Sequence, residues 1–294
     1  MQAQDMEMPK YSTLSFLAKT STPSEWKEIT SCISALVEEA TFEVSPEGIT
    51  LRAMDASHVA LIDILWPSAS FDRFDCSKAD RFTVRIEDFA KLVKRSEARD
   101  SVEVSRSGNE SIILKVGGDL YKREFELHLL ESSSKPSPLP KLTFDTKIVM
   151  SYSDFSQALN DISTLTNHIT IRASSDRVTF SGKGDIGKAV ATFELDEKRG
   201  RASGKTDEGR NNSWGVYEIV TKMTEGAQSE SVSTYNAEYL LKAMKSVGSS
   251  NSDTVKLEYS TKMPLRLEFG LAESASKGGR IHFYLAPRVG TPDG

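Results

Sequence analysis

The chain contains itself twice. Residues 24–51 align without a gap on residues 153–180, at a fixed offset of 129 positions. Trp26 falls on Phe155, Ile33 on Ile162, Ser34 on Ser163 and Leu36 on Leu165. Further on, Thr41 falls on Thr170, Phe42 on Ile171, Ile49 on Val178 and Thr50 on Thr179. Apolar, small and β-branched positions recur in register, so the chain must build two similar units.

Each copy reads as a helix followed by strands. Trp26, Ile29, Ile33, Leu36 and Val37 fall on one helical face, as do Phe155, Leu159, Ile162 and Leu165. Thr22-Pro23-Ser24-Glu25 predicts a capping box with proline in the first turn, and Ser153 is the expected N-cap of the second copy. Strands are predicted over 41–44, 49–54 and 59–66, with Ser45-Pro46-Glu47-Gly48 as a turn. The second copy predicts strands over 169–173, 177–181 and 189–195. A further helix in each half is marked by Phe89, Leu92 and Val93, and by Leu240, Ala243, Met244 and Val247 with Asn236 as cap. Strands follow over 101–106, 111–116 and 122–130, then over 254–259, 265–271 and 280–285. The expected fold is α+β: two similar domains, 11–130 and 147–289, each with two helices packed on a mostly antiparallel sheet. The linker, 131–146, includes Ser132-Ser133-Ser134-Lys135-Pro136-Ser137-Pro138-Leu139-Pro140, too rich in Ser and Pro for a central strand. Residues 198–213, charged and glycine-rich, read as a mobile surface loop.

Composition narrows the function. The net charge is −5, whereas a domain that holds nucleic acid by its overall charge is normally basic. DNA binding then requires the cations to be gathered on one face. No apolar run of about 18 residues is present, and residues 1–10 are polar and acidic, so neither a transmembrane helix nor a signal peptide is expected. Two cysteines, Cys32 and Cys76, suit neither a disulfide framework nor a zinc site and read as reduced thiols, Cys32 in the core.

Three motifs carry a family resemblance. Gly48-Ile49-Thr50-Leu51-Arg52-Ala53-Met54-Asp55-Ala56-Ser57-His58-Val59, Met263-Pro264-Leu265 and Ile281-His282-Phe283-Tyr284-Leu285-Ala286-Pro287-Arg288-Val289 resemble segments of the sliding-clamp family of proliferating cell nuclear antigen (PCNA). The resemblance covers about residues 11–289. It implies a head-to-tail homotrimer forming a pseudo-sixfold ring, with helices lining the hole and sheets outside. Such a ring encircles duplex DNA without reading sequence. It acts as a processivity factor for DNA polymerase in replication and repair, tethers flap endonuclease and DNA ligase, and is opened by an ATP-driven clamp loader, replication factor C. By analogy, the strand near 111–117 of one chain pairs with the strand near 188–195 of the next. A subunit of a heterotrimeric clamp, and a peptide-binding scaffold without DNA, remain alternatives. An archaeal type is favoured, cytoplasmic at the chromosome; a eukaryotic one would be nuclear. No cofactor, metal or membrane is implied.

The resemblance also implies two sites. Lys91, Lys94 and Arg95 on the second helix, Lys242 and Lys245 on the fourth, and Lys27 on the first are similar to the basic residues inside the family's ring. They would meet phosphates without specifying bases. The third helix departs from this pattern, with Gln157, Asn160 and Asp161 at its polar positions. The pocket for partners' short peptides would use Met54, His58, Val59, Leu61, Leu139, Pro140, Pro264, Tyr284, Leu285, Ala286 and Pro287. An apolar groove of this kind suits a helical turn with aromatic anchors.

Nothing points to catalysis by the chain. Gly182-Lys183-Gly184-Asp185-Ile186-Gly187-Lys188 approaches a phosphate-binding loop, but Ala189 stands where Ser or Thr must meet Mg²⁺, and a strand follows instead of a helix. It reads as a hairpin turn. No Ser/His/Asp, Cys/His or metal-spaced cluster is visible.

Overall fold

The computed structural model describes residues 14–106, 108, 110–118, 120–131, 138–139, 141–195, 215–221, 230–248 and 253–288. The 198–213 stretch, most of the Ser/Pro-rich linker including Pro140, and Val289 lie outside the described residues.

In chain order the first half contains β1 (Phe16–Thr20), α1 (Ser24–Ser34), β2 (Glu39–Ser45), β3 (Gly48–Met54), β4 (Ala60–Pro67), β5 (Arg73–Cys76), β6 (Asp80–Arg85), α2 (Ile86–Lys94), β7 (Ser101–Arg106), β8 (Ser111–Gly117) and β9 (Lys122–His128). The second contains β10 (Thr146–Ser151), α3 (Tyr152–Ser163), β11 (His168–Ala173), β12 (Arg177–Gly184), β13 (Gly187–Glu194), β14 (Val216–Thr221), β15 (Ser231–Asn236), α4 (Ala237–Val247), β16 (Thr254–Tyr259), β17 (Leu265–Gly270) and β18 (Arg280–Leu285). The 129-residue offset carries α1 onto α3, and β2, β3 and β4 onto β11, β12 and β13, to within about two residues.

The sheets show what the duplication builds. One runs β5-β1-β7-β8-β9, a second β13-β12-β11-β15, and a third, nine strands wide, β14-β10-β16-β17-β18-β4-β3-β2-β6. The nine-stranded sheet is two equivalent pieces fused. β14-β10-β16-β17-β18 has the order of β5-β1-β7-β8-β9, and β6-β2-β3-β4 that of β15-β11-β12-β13. The fusion is the antiparallel pair β18–β4, which runs from Arg280↔Leu65 to Leu285↔Ala60. Among the described residues its counterparts, β9 and β13, each have one strand neighbour and one open edge. β8 lies between β7 and β9, so both its edges are already paired. The expectation that 111–117 offers the free edge is therefore corrected: the edge belongs to Lys122–His128.

The helices form a row, α2–α1–α4–α3, with α1 packed beside α2 and α4, and α4 beside α3. Trp26 anchors α1. It is fully buried, 4.6 Å from Trp66 and 5.9 Å from Phe89 between ring centroids, both edge-to-face. Phe155, at the equivalent place, packs 5.3 Å from Phe180.

Helix ends differ from expectation in three places. α1 has no side-chain cap; Pro23 occupies the cap position, and Thr22 bonds Ser24 and Glu273 instead. Glu25 turns inward, so no capping box forms. Its carboxylate accepts hydrogen bonds from Trp66 Nε1 (2.9 Å), the Glu273 and Ser274 amides (3.0 and 2.7 Å) and the Ser274 hydroxyl (2.6 Å). α1 also stops at Ser34, leaving Leu36 and Val37 in the turn that follows. α3 is capped by Ser151, whose hydroxyl accepts from the Asp154 amide at 3.3 Å; Ser153 lies one residue inside the helix. Asn236 caps α4 as expected, accepting from the Glu238 amide at 2.9 Å.

Candidate functional site

Three of the six cations read from the sequence as DNA-facing belong to α2 or its C-cap, two to α4 and one to α1. Lys91, Lys94, Arg95, Lys242 and Lys245 are all exposed. Their charges are not equally free. Lys91 Nζ lies 3.0 Å from Glu87 and 3.8 Å from Asp88, and Lys242 Nζ lies 2.9 Å from Glu238. Each lysine is held one helical turn after its acid, an arrangement that supports the helix. Hydrogen bonding to those acids raises both lysines above the ordinary ammonium range. Lys27 differs from the rest. It is half-buried, and its ammonium donates to the Ser96 carbonyl at 2.7 Å, so it closes the C-terminal end of α2. On α3 the exposed positions are Ser153, Gln157, Asn160 and Asp161, which leaves that part of the row without a cation. The basic face is concentrated on α2 and α4.

The second cluster forms where β3, β4 and β18 meet. Cross-strand register puts Met54 opposite Leu61 and Leu61 opposite Tyr284. The Ala286 amide donates to the Val59 carbonyl at 2.9 Å, bringing the C-terminal tail against the β3–β4 turn. Pro264 precedes Leu265, which pairs with Leu285, so it lies at the same end of the sheet. His58 is exposed in a left-handed conformation (φ 59°), its Nδ1 3.0 Å from Met54 Sδ. Met54, Val59, Pro264, Ala286 and Pro287 are half-buried, while Leu61 and Tyr284 keep only 4% and 6% exposure. Leu139 is 41% exposed in the linker.

One residue of the expected pocket is corrected. Leu285 is fully buried, because strand alternation turns it to the core side while Tyr284 faces the other way. Its side chain belongs to the core and is not open to a ligand at this end of the sheet. Two residues that sequence reasoning missed matter here. Asp55 organises the β3–β4 turn, and Tyr239 of α4 reaches it from the other half at 2.8 Å. Asp55 lies inside the family-like motif, which gives a signal for it; no local pattern marks Tyr239.

Outside these clusters the chemistry is sparse. The glycine-rich 182–189 stretch lies in the β12–β13 hairpin, with Gly184 opposite Gly187. Among the described residues, no group of three or more His, Cys, Asp or Glu side chains could hold a metal, and no helix is long and apolar enough to cross a membrane. Cys32 is buried, and loss of solvent pushes its thiol up to about 12, so it stays protonated.

Comparison with known proteins gives one consistent answer. Residues 15–131 match the family model for the proliferating cell nuclear antigen N-terminal domain, and residues 138–288 match that for its C-terminal domain. The chain is 41% identical over 276 residues to the DNA polymerase sliding clamp of Nitrosopumilus maritimus, covering 94% of this chain and 99% of that one. The clamp of Cenarchaeum symbiosum is 39% identical with the same coverage. Among solved structures, PCNA from Thermococcus kodakaraensis superposes with a TM-score of 0.79 at 21% identity, covering 93% of this chain and all of that one. PCNA from Entamoeba histolytica gives 0.78 at 21% identity, covering 94% and 99%. With both halves matched in order and nearly the whole chain covered, this protein belongs to the proliferating cell nuclear antigen family of DNA sliding clamps.

Proposed function

We propose that three copies of the chain close head-to-tail into a ring that encircles duplex DNA and holds DNA polymerase on it, the ring itself catalysing nothing. One observation carries this reading. The open edges, β9 and β13, are the structural counterparts of β18 and β4, which already pair within the chain. Repeating that joint between chains makes a heterologous contact, and a contact of this kind forms a ring when its rotation closes. It also covers edges that would otherwise invite uncontrolled pairing.

The internal joint supplies a register. Ile62 corresponds to Ala191 by the 129-residue offset, and Phe125-Glu126-Leu127 matches Phe283-Tyr284-Leu285. Carrying over Phe283↔Ile62 sets Phe125 of one chain opposite Ala191 of the next, and Lys122 opposite Glu194. The test is paired cysteines in a chain lacking its own. Phe125→Cys with Ala191→Cys should form interchain disulfides on oxidation, and sedimentation of the unmodified chain should give a mass of three protomers. A monomer that never cross-links would sink the homotrimer; the same chain assembling only with other clamp subunits would favour a heterotrimer.

The α2 and α4 cations are proposed to meet phosphates inside the ring. The Met54–His58–Val59–Tyr284–Pro264 cluster, with Leu139 and Pro140 of the linker, is proposed to take the aromatic-anchored peptides of polymerase, flap endonuclease and DNA ligase. Replication factor C would open the ring. The relatives are archaeal in type, which favours action at the chromosome in the cytoplasm.

A further inference from the structure

The turn between β3 and β4 supplies His58 and Val59 to the pocket proposed above. Its tip is poorly anchored by packing, since Ala56, Ser57 and His58 are all exposed. Asp55 holds it. This side chain is nearly buried, and its Oδ1 accepts from the Val59 and Ala60 amides at 2.8 and 2.7 Å. Oδ2 accepts from the Ser57 amide at 3.2 Å, from the Ser57 hydroxyl, and from the phenol of Tyr239 at 2.8 Å. The phenol also lies 2.9 Å from the Ser57 hydroxyl. Burial alone would raise the Asp55 carboxyl, but hydrogen bonds from Ser57, Ala60, Tyr239 and Val59 hold it below the ordinary carboxylate value. It is therefore an anion, and bonds to an anion are the strong ones.

All of these donors except one belong to the turn itself. Tyr239 comes from α4, 184 positions away, on the helix that carries Lys242 and Lys245. The Lys242 ammonium sits 5.8 Å from the Tyr239 ring centroid. A chain of contacts thus runs from the basic helix face, through one phenol and one carboxylate, to the tip of the pocket.

We propose that Tyr239 is a positioning residue for partner binding: through Asp55 its hydroxyl fixes the 55–59 turn in the shape that receives an aromatic-anchored peptide. The inference rests on the pocket reading above. Tyr239 is half-buried and its hydroxyl meets Asp55 and Ser57, and the proposed role runs through those two groups. Affinity at the outer pocket then depends on where α4 sits, and α4 bears part of the proposed DNA face.

The test uses the assembled full-length chain and a fluorescent synthetic peptide whose helical turn bears two aromatic anchors. Tyr239→Phe removes only the hydroxyl. It should weaken the peptide Kd about tenfold, the size of one charge-assisted hydrogen bond. Asp55→Asn should weaken it as much or more, and the double variant should be no weaker than Asp55→Asn alone. The His58 ring resonances of the peptide-free Tyr239→Phe chain should move, which loss of global stability alone would not cause. A Tyr239→Phe chain with wild-type Kd and unmoved His58 resonances overturns the proposal, as do additive penalties in the double variant. If Tyr239→Phe fails to assemble, Asp55→Asn binding the peptide as tightly as wild type overturns it equally. Met54→Glu guards the underlying reading. If it binds as wild type does, or wild type does not bind, the pocket is misassigned and the proposal falls with it.

Discussion

Glu25, in the first turn of α1, accepts a hydrogen bond from the backbone amide of Ser274 at 2.7 Å, across 249 positions of sequence. The same carboxylate takes the Ser274 hydroxyl, the Glu273 amide and the Trp66 indole N–H. It stitches the first helix of one half to the loop between β17 and β18 of the other. Glu25→Ala would leave several buried donors without an acceptor, each costing about 1–3 kcal/mol. Chemical denaturation should show a destabilisation of about 3 kcal/mol or more, with Glu25→Gln closer to wild type. An effect below about 1 kcal/mol for Glu25→Ala would mean that water replaces the carboxylate and the stitch is dispensable.

Glu28, one turn on, makes stability depend on pH. Burial pushes its carboxyl from an ordinary 4.5 to about 8; the Ala272 amide opposes the rise and the nearby Glu25 charge adds to it. The folded chain therefore binds a proton that the unfolded chain releases. This contribution is complete below about pH 4.5, declines as pH rises towards 8, and is flat beyond. A tenfold change in proton affinity corresponds to about 1.4 kcal/mol, so the decline amounts to a few kcal/mol. Thermal melts of Glu28→Gln across pH 5 to about 9 should lose most of this slope. An unchanged slope would assign it to other groups.

The duplication offers its own control at Trp26. Trp26→Ala empties a site walled by Trp66, Phe71 and Phe89 and should cost about 3–5 kcal/mol. Trp26→Phe installs the residue that the second copy uses as Phe155, and should cost clearly less. Equal destabilisation in urea titrations would show that the two cores are not equivalent where the sequence repeats.

On the proposed DNA face, Lys91 and Lys242 are shared with Glu87 and Glu238, whereas Lys94 and Lys245 form no such ion pair among the described residues. Removing Lys94 and Lys245 together should weaken retention on duplex DNA more than removing Lys91 and Lys242. For every phosphate that is no longer neutralised, the slope of log K against log salt should fall by about 0.9. A reversed order, measured on linear DNA with ends open, would mean that the acidic partners swing away when phosphate arrives.

Much of this fold is legible in the sequence, because the helices carry clean apolar stripes and most strands alternate. β15 shows how the reading fails. Its inward residues are Ser231, Ser233 and Tyr235, while Val232 and Thr234 point outward, so polarity runs against burial. The small hydroxyls are satisfied inside: Ser231 accepts from Thr146 through its hydroxyl and from Tyr259 through its carbonyl. β1 fails differently, since Phe16, Leu17 and Ala18 are all buried and no alternation survives. The free edge was readable in principle. β9 sets Lys122, Glu124, Glu126 and His128 along its exposed positions, a charge pattern typical of edge strands. β8 carries one such charge, Lys115. Of the candidate sites, periodicity marks only the helix faces that carry the cations; their proposed role and the proposed pocket follow from the family resemblance. Glu25 and Tyr239 could not be read. An acid in a first helical turn, or a tyrosine on a helix, looks ordinary until its partner arrives from the other half.

The β4–β18 pair has a mechanical meaning. Bending the chain between its halves would shear six cross-strand pairs and pull Glu25 and Tyr239 off their partners. Each protomer therefore behaves as a stiff unit, and the proposed ring of such units would be compliant only at its seams. A force that opens it should part β9 from β13 at one of the proposed joints while the protomers keep their shape, so the gate's width is set by how far a whole protomer swings.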